Sequence, residues 1–286
     1  MFHQLEPLSK SKQKELQLLR ENLKSLKTVC VAYSGGVDSS LVAAIAQEQL
    51  GNKALAITGV SPSLATHLRN EARSQAKWLG IRHQECFTNE LKDPSYNKNP
   101  ENRCFACKQE LHQHLNEIAL SAGASQVIDG VNLDDLNEYR PGIEAAHKAG
   151  VRSPLAELGI TKTTVRQISR ALGFPWWNKP AQPCLASRLP YGEEVNSNRL
   201  KQIEKAEKWL RDNGFEIARV RSQNSAARIE LPSNRIEELI INFKKEDIVK
   251  YFISLGFTSV SIDLEGLVSG KLNRNKQHIP PLSTHK

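Results

Sequence analysis

One stretch, Ser34-Gly35-Gly36-Val37-Asp38-Ser39-Ser40, constrains this chain more than any other. It follows the β-branched apolar run Thr28-Val29-Cys30-Val31-Ala32-Tyr33, which reads as a buried parallel strand, and it opens a helix over Leu41 to Leu50. A strand that ends in two glycines and turns straight into a helix aims consecutive backbone N–H groups at one point. The result is an anion nest, reinforced by the positive end of the helix dipole. Gly35 and Gly36 let the backbone approach a phosphate, and Ser34, Ser39 and Ser40 add hydroxyl donors. Asp38 is placed to contact a magnesium ion or to cap the helix. A Walker A sequence requires a Lys that is missing here, so this is a phosphate loop of another kind.

Strands and helices alternate around it. Leu16, Leu19, Leu23 and Leu26 recur at helical spacing within residues 9–27. Apolar runs at Ala54–Val60 and Ile81–Phe87 predict strands, with a helix over Ala65–Leu79 between them. Helix Glu110–Ala122, strand Gln126–Asp129 and helix Thr163–Leu172 continue the pattern. Such alternation predicts an α/β fold with a doubly wound, mostly parallel sheet. Pro175 to Pro190 is rich in proline and reads as a boundary, giving expected domains of 1–190 and 191–286. The second is a smaller α/β (α+β) domain: helix Asn198–Asn213, strands Ile217–Ser222 and Ala227–Leu231, helices Arg235–Phe243 and Lys245–Leu255, and strand Ser259–Leu264. The last dozen residues, with Pro280-Pro281, read as a frayed end.

Composition excludes several classes. Hydrophobic residues make up 39%, too many for a chain that stays disordered. No apolar run approaches the roughly 20 residues a bilayer needs, and the first 27 residues lack the apolar core of a secretory signal. A cytoplasmic protein without membrane contact is expected. The net charge of +8 suits an acidic partner or a merely solvated surface, and no basic stripe or RNA-binding module points to nucleic acid. The eight His residues form no HxH or HExxH pattern.

Five cysteines, an odd count, argue against a disulfide framework. Cys30 and Cys86 fall in strand-like runs and read as core thiols. Cys104 and Cys107 form a CxxC, and Cys184 lies in Pro183-Cys184-Leu185-Ala186-Ser187-Arg188. Three thiolates with an open position suit an iron–sulfur cluster with one exposed iron. Structural zinc lacks a fourth Cys with compatible spacing. A catalytic Cys184 without any cluster stays open, as do zinc and incidental thiols. Arg188, next to Ser187, and the pair Arg219 and Arg221, at i, i+2 on one strand face, are candidate phosphate ligands. A surface salt-bridge pair is the other reading of Arg219 and Arg221. Asp129, Asp134 and Asp135 fall at the carboxyl end of a strand, where one could hold magnesium while the others cap a helix or orient Arg140. Glu230 and Asp263 could be acidic ligands near a sulfur site but read first as solvated or capping acids, and Trp176 and Trp177 could shelter a site but read first as packing at a domain junction.

The loop resembles the SGGxDS pyrophosphate loop of the N-type ATP pyrophosphatases, the PP-loop superfamily. That resemblance implies cleavage of ATP to AMP and pyrophosphate, with an adenylated substrate as intermediate. Further segments are similar to the LarE family: Asp129-Gly130, Asp134-Asp135, Tyr139-Arg140-Pro141-Gly142, Arg152-Ser153-Pro154-Leu155, Pro183 to Gly192, Arg219-Val220-Arg221 and Ala227 to Leu231. The similarity spans residues 15–275. It implies an ATP-dependent sulfur transferase that turns the carboxylates of pyridinium-3,5-biscarboxylic acid mononucleotide into thiocarboxylates for a nickel-pincer nucleotide cofactor. Cys184 matches the family's sacrificial cysteine, while Cys104, Cys107 and Cys184 together match its three-cysteine [4Fe-4S] form. ATP, Mg2+ and the cluster are the implied cofactors, with sulfide or a sulfur-donor protein as a further partner. The second domain is implied to bind substrate or to build a homo-oligomer. A tRNA thiolase sharing the loop and a non-catalytic nucleotide sensor are the competing readings.

Overall fold

The computed structural model describes residues 4–137, 140–268 and 271; Tyr139 and the Pro280-Pro281 tail lie outside them. The chain divides into two units, Met1–Cys184 and Leu185–Lys286.

In the first unit α1 (Lys10–Ser25) leads into β1 (Val29–Ala32), α2 (Val37–Leu50), β2 (Ala54–Val60), α3 (Thr66–Leu79) and β3 (Arg82–Phe87). A short α4 (Pro94–Asn97) precedes α5 (Arg103–Ser121) and β4 (Gln126–Ile128). Then come α6 (Pro141–Lys148), α7 (Pro154–Glu157) and α8 (Lys162–Ala171). The four strands form one parallel sheet in the order β3-β2-β1-β4, with Val31 opposite both Ala56 and Ile128. Alternation along β1 divides the core. Val29 and Val31 join the cluster built by α1, α2, α3 and α8, whereas Cys30 joins the one on the opposite face with Leu115, Val127 and Ala146. Helix α2 is buried on every side from Leu41 to Ala46, so it is the central helix of its layer. Because β2 and β4 flank β1 on opposite sides, the loops after β1 and β4 diverge and open a crevice at the carboxyl ends, the place where α/β sheets bind ligands.

Two expectations shift. Helix α5 begins at Arg103 rather than Glu110, which carries the CxxC onto its first turn. The expected helix Leu41–Leu50 likewise starts at Val37, directly on the phosphate loop.

The second unit opens with a 3-10 turn over Leu185–Arg188 and continues with α9 (Ser197–Asp212), whose N-cap Asn196 accepts from Arg199 N at 3.0 Å. Strands β5 (Arg219–Gln223) and β6 (Ala226–Glu230) form a hairpin turned by Asn224 and Ser225, both at positive φ as a type I′ turn requires. After α10 (Ile236–Asn242) and α11 (Lys245–Ser254), β7 (Ser259–Ile262) pairs with β6 in parallel. Among the described residues no helix is long and apolar enough to cross a membrane.

Candidate functional site

The phosphate loop has the geometry its sequence demands. Gly35 sits at φ +72°, and a Cβ there would lie 3.1 Å from Ala72 Cα on α3, so both the left-handed backbone and the close approach call for glycine. Gly36 is the N-cap of α2 with no side-chain capping bond, which leaves the first turn of that helix for an anion. Ser34 Oγ lies 3.1 Å from Ser39 Oγ, and Ser39 Oγ donates to Gly36 O at 3.1 Å, tying the loop's ends together. Gly130, just past β4, presses against the same turn: a Cβ there would stand 2.5 Å from Ser39 N.

The acids at the end of β4 have separate tasks. Asp129, largely buried, accepts from Ser153 Oγ at 2.8 Å and Val131 N at 3.1 Å, while burial pushes its carboxyl above the usual range. Asp134 accepts from Lys162 N at 2.8 Å and so caps α8. Asp135 pairs with Arg140 at 2.9 Å, and its carboxyl is also raised by burial. Asp38 does not cap its helix. It is ion-paired with Lys162 and accepts from Asn132 Nδ2 at 3.3 Å. Sequence reading missed Lys162 as a site residue, although it stands in Thr161-Lys162-Thr163 at the start of a predicted helix, 124 residues from Asp38.

Cys30 and Cys86 are core thiols, and burial raises Cys30 to about 11. Cys104 reaches solvent, and Cys107 and Cys184 are half-buried. The structure brings the three into one neighbourhood. Desolvation first, and then the proximity of Cys184, raise the Cys104 thiol; for Cys107 the order is desolvation, Glu90, then Cys184. Tyr96, fully buried with its hydroxyl 2.5 Å from Ser63 Oγ, stands beside Cys184 and Cys107. As a donor set, three soft thiols with no fourth fit a cluster with one open iron. Among the described residues, however, no three His, Cys, Asp or Glu are closed around a single metal ion. Trp176 packs edge-on against Trp78 and against the core, as its packing reading required.

The second unit holds an arginine cluster. Arg188 is clamped by Glu207 through two bonds of 2.8 and 3.1 Å and also donates to Ser187 Oγ at 3.0 Å. Arg221 pairs with Glu230 at 3.0 Å and donates to Ser187 O at 2.6 Å. Glu230 is fully buried between Arg221 and Arg228, and Asp263 pairs with Arg228 and Lys271. The solvated reading of those two acids is therefore corrected: Glu230 neutralises Arg221 across the hairpin and Arg228 on its own strand, and Asp263 neutralises Arg228 and Lys271. Arg219, on the same strand as Arg221, has no ion pair among the described residues; desolvation, then Arg188 and Arg221, weaken its hold on its proton. Arg188 and Arg221 are each paired with a carboxylate, whereas Arg219 beside them is not, and that leaves its positive charge for an anion.

Comparison with known proteins fits this geometry. A sequence model of the asparagine synthase family matches residues 17–93, the segment that holds the phosphate loop. A Lactiplantibacillus plantarum protein, pyridinium-3,5-bisthiocarboxylic acid mononucleotide synthase, is 38% identical over 252 residues, 88% of this chain and 91% of that protein. The chain belongs to the LarE family. Two uncharacterised proteins extend the similarity: one from Synechocystis, 52% identical over 260 residues (91% of this chain, 97% of that one), and one from Methanocaldococcus jannaschii, 32% identical over 255 residues (88% and 96%). As a LarE-family protein with a PP-loop the chain is an ATP-dependent sulfurtransferase, and the α/β fold expected of the family is the fold it has.

Proposed function

We propose that the chain adenylates the carboxylates of pyridinium-3,5-biscarboxylic acid mononucleotide and replaces a carboxylate oxygen with sulfur, using Cys104, Cys107 and Cys184 as ligands of a [4Fe-4S] cluster. The observation that carries this reading is the gathering of three non-core thiols in the unit that also holds the ATP loop. A carboxylate oxygen attacks the α-phosphate of ATP, and pyrophosphate leaves into the nest formed by residues 34–40, where backbone N–H groups and the helix dipole stabilise the developing charge. Asp38, paired here with Lys162, would hold the Mg2+ that accompanies ATP, and the Lys162 ammonium would then serve the phosphates. A sulfur nucleophile then attacks the acyl carbon and AMP departs with the former carboxylate oxygen. When bound, the cluster would supply an exposed iron able to carry sulfide. Arg219, with Arg188 and Arg221 positioned around it and Ser187 at the turn, binds a phosphate of the substrate or of AMP. The two units correspond to catalytic and substrate-binding or oligomerising parts of a cytoplasmic homo-oligomer, with sulfide or a donor protein supplying the sulfur.

The open arrangement of the thiols favours a second reading. There Cys184 Sγ attacks the acyl-adenylate and expels AMP; elimination from the thioester then yields the thiocarboxylate and leaves residue 184 as dehydroalanine. Protein purified without oxygen decides between them. Bound iron, lost with sulfur transfer but not ATP binding in Cys104→Ala, supports the cluster. Iron-free protein that transfers one sulfur per chain, loses hydrogen sulfide at Cys184 and tolerates Cys104→Ala overturns it.

A further inference from the structure

The segment that ends at Cys184 is laid along α3. His67 Nε2 meets Gln182 Oε1 at 3.4 Å, the Lys179 ammonium pairs with the Glu71 carboxylate, and Trp78 and Trp176 meet edge-on with ring centroids 5.2 Å apart. Positions 67, 71 and 78 share one stripe of the helix within about 40° at 3.6 residues per turn. As the helix partner advances from 67 to 71 to 78, the segment partner runs back from 182 to 179 to 176, so the two are antiparallel. Between the outer ties the helix rises about 16 Å; the segment opens with a turn in which Lys179 N donates to Trp176 O at 3.0 Å and continues from there to Gln182.

An adjacent stripe of the same helix closes on the phosphate loop. A Cβ on Gly35 would meet Ala72 and Gln75 first, and Gln75 Oε1 accepts from the Tyr33 hydroxyl at 3.4 Å. One rigid helix therefore touches the loop that holds pyrophosphate with one stripe, and with the next the segment that presents the sulfur-bearing thiol. The Lys179 side chain is mostly shielded from water, and Glu71 is its counter-ion.

We propose that α3 is the spacer that sets Cys184 relative to the phosphate loop, and that Glu71 and Lys179 are its positioning pair for the sulfur-transfer half-reaction. This rests on the sulfur-transfer reading above. Adenylation needs only the loop side of the helix; sulfur transfer needs both sides.

Lys179→Ala, Glu71→Gln and Lys179→Arg test it by two readouts. In the first two variants, pyrophosphate release should stay near the wild-type rate, while thiocarboxylate formed per pyrophosphate falls roughly ten- to a hundredfold, the scale of a misplaced reactant. Lys179→Arg should restore the ratio. Alkylation of Cys184 by iodoacetamide, followed by peptide mass spectrometry, should run several-fold faster in Lys179→Ala and Glu71→Gln, with the wholly buried Cys30 remaining unmodified. Wild-type Cys184 reactivity and wild-type yield in both variants would overturn the proposal. So would modification of Cys30 alongside Cys184 in both, since the pair would then be holding the fold together. The alkylation readout needs no substrate, so it tests the positioning separately from the function.

Discussion

Asp38 and Lys162 neutralise each other where ATP must bind. Both side chains are partly solvated, so the pair contributes little to stability, in line with the ~0–1 kcal/mol of exposed ion pairs. Its importance is in what each partner does once separated. Lys162→Met should leave the melting temperature within a degree or two, by that argument, yet lower kcat/KM for ATP in pyrophosphate release. A loss on the order of ten- to a hundredfold is expected, equivalent to about 1.5–3 kcal/mol for a charged hydrogen bond. Measuring pyrophosphate release at several magnesium concentrations checks it; an unchanged kcat/KM would make Lys162 a tie of α8 and no more.

At the scale of elements, the hairpin of β5 and β6 shows what a sequence displays and what it conceals. The strands were legible from their apolar alternation, and Arg219 and Arg221 from their i, i+2 spacing. Glu230 was not legible, because a carboxylate at a strand end looks solvated until the register sets Arg219 opposite it and Arg221 on the diagonal. The phosphate loop was readable because all its parts are local. Lys162 was hidden by the long stretch of chain between it and Asp38. The start of α5 was hidden because the polar segment around Cys104 has no helical periodicity, and α6 and α7 are short helices that begin at Pro141 and Pro154. The hairpin also separates two kinds of arginine. Glu230→Ala should strand buried Arg221 and destabilise the protein by about 3–5 kcal/mol, the cost of breaking a buried pair. Arg219→Ala should leave the urea midpoint nearly unchanged and raise the KM of the phosphate-bearing substrate. Equal destabilisation by both would remove Arg219 as an anion ligand.

Over the whole molecule, titrating groups bound the pH range of the fold. Hydrogen bonds from Arg69 and then Arg73 hold Glu85 at about 2 against 4.5 for the free group. Its contribution is therefore complete above pH 4.5 and is lost as pH falls toward about 2. On the alkaline side burial raises Cys30 from 9.0 to about 11 and Tyr33 from 10.0 to about 12. Their neutral forms belong to the fold, so stability holds below pH 9.0 and declines as pH climbs through about 11 and 12. Urea midpoints across this range should trace a plateau with two falling limbs, and Glu85→Gln should flatten the acid limb alone.

The strand order has a consequence for how the chain acquires its activity during synthesis. β1 is central and meets β2 soon after it is made, but its other neighbour is distant: Ser125 Oγ bonds Thr28 O across 97 residues. Until that neighbour arrives, one edge of β1 is bare and Gly130 is not yet braced against Ser39. A ribosome adding ~5–20 residues per second delivers β4 roughly 5 to 20 s after β1. The segment that looks most complete in the sequence is thus finished late, and a nascent chain can expose its entire phosphate motif well before it is able to hold a nucleotide.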